Sequence, residues 1–357
     1  MSKSKKKGTG KGTKVRVGII GSGEISEMHI TNLKKIPGVE VIATCDIKQE
    51  AAEAAAKEHE IPHVFTDYKK LLKLKEIDAV SICTPNFFHA EPAIAAARAG
   101  KHVIVEKPMA MTAKEAQAMV DASKKARKVL VVGFQYRYDP KTRLLKRAID
   151  AGEFGKILYV RCQAMRRRGI PNWGVFGRKE LQGGGPLIDI GVHIMEAAHY
   201  LMGKPQPVAA SGNCYTYIGD KKSDIESRWP NWDYKTYTVE DLAIGMIRFE
   251  NGATMVVESS FCAHIEQNVF DITLMGEKAG AKWGSSKIFT DRNGTMMNME
   301  ANYVPKDSHW DHKMSDWIEC IRTGKKPICP GEDGLAIQKM LDGIYKSAEA
   351  GKEIAIK

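Results

Sequence analysis

No run of the 357-residue chain stays apolar for the about 18–20 residues that a helix needs to cross a bilayer. The first residues carry no apolar signal region either, so neither membrane anchoring nor export is expected, and the expected location is cytoplasmic. Cysteine pairs are also missing. The seven cysteines, at positions 45, 83, 162, 214, 262, 320 and 329, are odd in number and never spaced Cys-x-x-Cys. That argues against a disulfide framework and against a zinc site, so no metal is expected. Acidic residues are absent from the first fourteen positions, which hold six of the lysines behind the formal charge of +11. Residues 1–13, rich in Lys, Gly, Ser and Thr, read as a disordered, solubilising basic tail. No reader motif accompanies the charge, so no nucleic-acid partner is expected.

What is present is the patterning of two domains, for which 357 residues at 43% hydrophobic content are ample. Between residues 15 and 134, nearly continuous apolar runs recur at 15–20, 39–46, 79–84, 102–106 and 129–134, as strands buried on both faces require. Ala-rich segments at 49–59, 89–100 and 113–127 separate them, with Lys and Glu on their other faces. Strand and helix alternating at this spacing imply β-α-β crossovers and a doubly wound parallel sheet, a Rossmann domain over residues 14–134. The rhythm changes after about residue 150. Strand-like runs at 157–168, 208–217, 242–249, 253–261, 270–275 and 287–291 follow with few helices between them. Asn251-Gly252 and Asn293-Gly294 are hairpin signals. The expected fold class is α/β: the Rossmann domain plus a C-terminal α/β domain over 135–357, with a mainly antiparallel sheet and closing helices near 311–323 and 333–350.

The first apolar run leads into Gly21-Ser22-Gly23 and then a helix. Gly21 permits a tight turn and Gly23 lets the backbone approach a pyrophosphate. Glu24 and Ile25 open a helix whose free N–H groups and positive dipole end suit the same anion. Ser26 stands where a third glycine is usual. Asp46 ends the second strand, where a carboxylate can hold both ribose hydroxyls and repel a 2′-phosphate, so NAD is favoured over NADP. The plainer reading is a glycine turn followed by an ordinary strand-end aspartate.

Further segments carry more information. Cys83-Thr84-Pro85-Asn86 leads to His89, and Glu106-Lys107-Pro108 follows the fourth apolar run. Gly133 to Pro140 includes Gln135 and Arg137, and Gly183-Gly184-Gly185-Pro186 precedes Asp189 and His193. With these motifs in this order, from Val15 to the C-terminus, the chain resembles the Gfo/Idh/MocA oxidoreductase family. The resemblance implies a large open sheet that mediates dimers or tetramers, hence a homo-oligomer, and a cis bond before Pro108 beside the nicotinamide. It implies cofactor contacts from Gly21, Gly23, Glu24, Ile25, Asp46, Thr84, Pro85, Asn86, His89, Glu106, Lys107 and Gln135. Lys107, Asp189 and His193 fall where the family has its catalytic lysine, aspartate and histidine.

Those residue types suit the chemistry. Taking hydride from an alcohol carbon also requires removing the hydroxyl proton, so a base near neutral pKa and a donor to the forming alkoxide are needed. Histidine, ordinarily near 6.5, suits the base. Asp189 and His193 are four apart on an expected helix, so both face one way, and Asp189 can orient the imidazole or bind a neighbouring hydroxyl. Lys107 can hydrogen-bond the reacting oxygen, or act as acid or base itself.

Substrate contacts are expected from Arg137, from Arg167 and Trp173 in the Arg166–Gly174 loop, and from Trp232 and Tyr234 in an aromatic loop. Sugar rings present C–H faces that pack on aromatic side chains, so sugars, glycosides and polyols are the expected substrate class. A solvated basic loop and a subunit contact are the competing readings of these segments. Two other functions remain open: a non-catalytic NAD-binding sensor of the same fold, and a lyase or hydrolase using NAD transiently.

Overall fold

The computed structural model describes residues 14–357, and the expected tail at 1–13 lies outside the described residues. Six parallel strands form first: β1 (Val15–Ile20), β2 (Val39–Cys45), β3 (His63–Phe65), β4 (Ala79–Ile82), β5 (His102–Val105) and β6 (Leu130–Val132). Their order is β3-β2-β1-β4-β5-β6. Helices α1 (Glu24–Lys34), α2 (Gln49–His59), α3 (Tyr68–Leu72), α4 (Ala90–Arg98) and α5 (Ala113–Ala126) supply crossovers. Val17, Ile19, Val80, Ile82, Val103 and Val105 are fully buried, which is why these strands read as unbroken apolar runs. The order reverses between β1 and β4, so the loops leaving their C-terminal ends diverge and open a crevice. The short edge strand β3 was not expected, because three residues carry no readable period.

Helix α6 (Pro140–Asp150), capped by the Asp139 side chain, leads into a second sheet. Its strands are β7 (Ile157–Met165), β8 (Pro207–Tyr215), β9 (Leu242–Phe249), β10 (Thr254–Ser260), β11 (Val269–Gly276), β12 (Ala279–Lys282), β13 (Lys287–Arg292), β14 (Thr295–Met299) and β15 (Ile354–Ala355). They lie in the order β14-β13-β12-β11-β7-β10-β9-β8-β15, antiparallel throughout except for the β7–β10 pair. Asn293 and Gly294 both take positive φ, 52° and 71°, as a two-residue hairpin turn demands. The short strands β12, β14 and β15 escaped the sequence reading.

The inner face of this sheet buries Val160, Cys162, Ala164, Val257, Ile272 and Leu274. After α7 (Lys179–Gln182), a π-helical turn Leu187–Gly191 runs into α8 (Val192–Leu201), which packs on that face. Helix α9 (His309–Thr323) then returns to α1 and to the 3-10 turn Gln135–Tyr138, and α10 (Gly331–Ala350) lies against α5 and β8. Both closing helices therefore touch both halves of the chain. No helix among the described residues is long and apolar enough to cross a membrane.

Two residues expected at the substrate make contacts within this framework. Arg137 is buried, its guanidinium paired with Glu196 and, at 2.6 Å, with Asp333, and its Cζ lies 4.7 Å from the Tyr200 ring centroid. These carboxylates already balance the charge of the guanidinium and tie it to α8 and α10. Trp232 is buried too, and its indole N–H donates to the Gly219 carbonyl at 2.7 Å, pinning the aromatic loop. Removing one member of a buried ion pair strands the other. Arg137→Met is therefore expected to lower unfolding free energy by about 3–5 kcal/mol, read by denaturant titration, while NADH affinity of the folded protein stays within twofold of wild type.

Candidate active site

The crevice begins at Gly21, which follows β1 with φ +94°. A Cβ there would lie 2.7 Å from the Cys83 backbone, so glycine is required both by the turn and by the close passage of the β4 exit. Gly23 caps α1 without a side-chain hydrogen bond, and a Cβ on it would meet nothing within 4 Å. The first N–H groups of α1, including those of Glu24 and Ile25, therefore face open space with a positive dipole end. Ser26 is buried and donates back to the Gly23 carbonyl at 2.5 Å, so it fills the third glycine position without opening the turn. Asp46 stands across the turn, its carboxylate accepting the N–H groups of Ser22 and Lys48, both at 2.9 Å.

The β4 exit supplies Thr84, Pro85 and Asn86. The Asn86 amide donates to the Gln182 carbonyl at 2.9 Å, which fastens this exit to α7. His89, expected to touch cofactor, is buried, with its ring nitrogens facing the carbonyls of Pro108 at 2.7 Å and Thr84 at 2.8 Å. It braces one loop on the other. The Lys107–Pro108 bond at the end of β5 is cis. The Glu106 carboxylate, just before it, points inward, to His29 and Lys313.

Lys107 crosses to the second half of the chain. Its ammonium donates to the Asp189 carbonyl at 2.9 Å and to the Asp189 carboxylate at 3.0 Å. Asp189 does not orient His193, contrary to the four-residue spacing argument. It sits in the π-helical turn, where each turn holds more residues than in an α-helix, and its carboxylate is turned toward Lys107. His193 follows in the first turn of α8 with Nδ1 buried and unpartnered, its ring edge-on to Tyr136 at 5.3 Å. Tyr136 in turn stacks on His309 from α9. Burial, and then the Lys107 ammonium, hold the His193 pKa well below 6.5. The imidazole is thus neutral and able to accept a proton at neutral pH.

A second wall comes from the loop after β7. Trp173 is exposed and packs edge-on against Trp229, with centroids 4.8 Å apart. Arg166 lies over Trp229 at 4.9 Å and over Phe261 at 5.5 Å. Burial lowers the Arg166 pKa and the charge of Asp189 opposes that, which puts Arg166 within electrostatic reach of the site. Its neighbour Arg167, the residue expected from the sequence, is exposed and donates to the Glu266 carbonyl at 3.0 Å instead. Tyr234 is half-buried against the core. Tyr136, Arg166, His309 and the buried Lys313 were missed. The signal for Lys313 was present, because it interrupts the apolar stripe Trp310–Met314–Trp317–Ile318 of its helix.

The site fits a dinucleotide on three observations: the open cradle over Gly23, the carboxylate at the mouth of the turn, and the buried unpartnered Gln135 Oε1 at the start of the 3-10 turn after β6. An acceptor left bare in the interior suits a donor that arrives with a ligand.

Comparison with known proteins agrees. The oxidoreductase-family model for an NAD-binding Rossmann fold matches residues 15–134, and that for the C-terminal alpha/beta domain matches residues 146–356. A D-glucoside 3-dehydrogenase of Escherichia coli K12 is 36% identical over 344 residues, covering 96% of this chain and 97% of the relative. Levoglucosan dehydrogenase of Pseudarthrobacter phenanthrenivorans is 32% identical over 287 residues, 73% of this chain and 71% of the relative. A solved structure of levoglucosan dehydrogenase in complex with NADH matches with a TM-score of 0.83 at 26% identity, covering 97% of this chain and 100% of that one.

Two expectations follow from the geometry. Asp46 should favour NAD over NADP by at least about tenfold, or 1.4 kcal/mol; titration of both cofactors measures this, and Asp46→Ser should narrow the gap. Since His193 is held well below 6.5, the acid limb of alcohol oxidation should lie below pH 6.5 rather than between 6 and 8. Rate rises with pH through that limb because only the neutral ring accepts the proton. His193→Ala and Lys107→Ala should each keep NADH binding and lose about 10²–10⁴-fold in turnover, and the limb should vanish in His193→Ala. A retained limb would move the base elsewhere, with Lys107 first in line.

Proposed function

The chain belongs to the Gfo/Idh/MocA family of NAD-binding oxidoreductases, and from that premise we propose that it oxidises a secondary hydroxyl of a glycoside, the C3 hydroxyl of a D-glucoside, to the ketone. The observation that carries this reading is the meeting of the Lys107–Asp189 pair with a neutral His193, in a chain aligned along nearly its whole length with a D-glucoside 3-dehydrogenase. Bound NAD supplies the hydride acceptor. The remaining steps belong to protein side chains. His193 takes the hydroxyl proton, and the Lys107 ammonium hydrogen-bonds the oxygen as it becomes an alkoxide. The Asp189 carboxylate fixes that ammonium and offers an acceptor to a neighbouring hydroxyl of the sugar. Trp173 and Arg166 supply a flat apolar face and donors, the pairing that a sugar ring uses.

The substrate is a neutral small molecule in this reading. The partner is a second copy of the same chain, docked on the sheet face turned from the helices, where Tyr159, Ile244, Met246, Val256 and Met275 are at least partly exposed. Seven free cysteines suit a reducing cytoplasm. Sedimentation at micromolar concentration tests the dimer, and a monomer there counts against it.

The substrate test pairs methyl and aryl D-glucosides, free glucose and myo-inositol with NAD, following cofactor absorbance and keto product together. Expected is stoichiometric NADH and 3-keto glucoside, with kcat/KM at least about tenfold above that for myo-inositol. Inositol turnover without glucoside turnover would overturn the glycoside reading. Glucoside consumption without NADH accumulation would indicate a lyase or hydrolase, and NAD binding without any turnover a sensor.

A further inference from the structure

We propose that Lys313 is a positioning residue for the reaction: from helix α9 it holds Glu106 as a charged strut that fixes both the Lys107 backbone and the cofactor-binding helix α1. The Lys313 side chain is fully buried, with Nζ 2.7 Å from Glu106 Oε1 and 4.1 Å from the Trp310 ring centroid. The same carboxylate oxygen lies 2.8 Å from His29 Nε2, on α1. His29 Nδ1 is 2.7 Å from Ser81 Oγ on β4, so a neutral ring that donates to Glu106 accepts from Ser81. The other carboxylate oxygen accepts the Lys107 backbone N–H at 3.3 Å. One buried carboxylate therefore joins α1, β4, the β5 exit that carries Lys107, and α9. Gly133 makes room for it, since a Cβ there would lie 2.4 Å from Glu106 Oε1.

Stability alone does not call for this arrangement. A buried ion pair is often no better than apolar residues of the same volume, because desolvation cancels the attraction. What the charges add is direction. The pyrophosphate cradle at the start of α1 and the lysine at the end of β5 must keep one fixed spacing, and Glu106 touches both supports. The ionisable groups facing Glu106 are His29 on α1, Cys83 after β4, His89 before α4, Lys107 beside it, His193 on α8 and Lys313 on α9. Burial would raise the Glu106 pKa, but the Lys313 ammonium and the His29 hydrogen bond hold it well below 4.5. His29 is held at about 4 by burial and by Lys313. In the intact protein neither group titrates near neutrality.

Lys313→Met removes the cation and leaves Glu106 and His29 to share a proton between them as one coupled pair. At low pH that pair gains a proton and regains the neutral total that Lys313 provided. As pH rises it loses the proton and leaves a bare buried carboxylate. NADH affinity, read by fluorescence titration, should be nearly wild type at pH 5.5 and at least tenfold weaker at pH 8.5. Wild-type affinity should change less than threefold over the same range. For Lys313→Met the readout is NADH binding, so that result does not depend on which sugar is the substrate. Lys101→Met is the control: it removes another buried lysine, bonded only to the Leu74 and Ile77 carbonyls, and should lower Tm without adding pH dependence. If Lys313→Met fails to fold, the neutral pair Lys313→Met with Glu106→Gln replaces it. That variant should fold, bind NADH without pH dependence and lose at least tenfold in kcat. Unchanged pH dependence in Lys313→Met, or wild-type kcat in the double variant, would overturn the proposal.

Discussion

The Lys107 ammonium on the two Asp189 oxygens is the contact on which the site depends, because it is made across the seam between two sheets. Neither half of the chain holds a complete constellation. The parallel sheet brings the glycine turn, Asp46 and Lys107 to the C-terminal ends of its strands, where the reversal between β1 and β4 opens the crevice. The second sheet supports α8, and with it His193, on its inner face. The seam must therefore be held to within fractions of an ångström for proton transfer, and the closing helices do this by packing on both halves. Helix α9 sends His309 against Tyr136 and Lys313 against Glu106, while Asp342 of α10 accepts the Ala113 N–H at the start of α5, at 2.8 Å.

The seam is unusually polar for an interior. Two buried clusters flank the site, Glu106–His29–Lys313 on one side and Arg137–Glu196–Asp333 on the other. Burial pushes the Glu196 carboxyl up to about 7 even with Arg137 beside it, whereas Glu106 is driven down by Lys313. The difference follows from partners. Lys313 serves Glu106 as its main counter-ion, while Arg137 divides its charge between Glu196 and Asp333. Apolar packing would join the halves as firmly, but it would tolerate small sliding. Hydrogen bonds of 2.6 and 2.7 Å between charged groups do not.

The framework was legible in the sequence where a period or a backbone constraint repeats. Apolar runs marked β1, β2, β4 and β5 within a residue or two, and Gly21 announced a turn that only glycine can make. The legible part of the site lay on those same elements. What failed has a common cause: contacts between residues far apart in sequence. Arg137 and Trp232 are chemically apt for a sugar, yet their partners lie near residues 196, 219 and 333 and bury them. The four-residue spacing of Asp189 and His193 suggested one helical face, and the π-turn removed it. Arg166 and Arg167 point to different surroundings beyond β7, Arg166 over Trp229 and Phe261 and Arg167 to the Glu266 carbonyl, which neighbouring arginines in a sequence do not reveal. Lys313 showed only as a charge in an apolar stripe, and nothing local says which carboxylate it meets.

The same long-range contacts explain how one cation can serve two demands that oppose each other. In the proposed reaction a stronger positive charge at Lys107 would stabilise the developing alkoxide better, yet it also depresses the basicity of His193, the proposed base. Asp189 moderates that conflict. By taking part of the ammonium's field at 3.0 Å, it leaves a directed hydrogen-bond donor while reducing the charge felt at the imidazole. Burial of His193 keeps the ring neutral before reaction, and the proton it receives is drawn into a pocket that already holds a carboxylate below, at Glu106, whose charge raises the imidazole pKa. In the proposed reaction the base is thus weak in the resting site and would be favoured as the alkoxide charge appears next to Lys107.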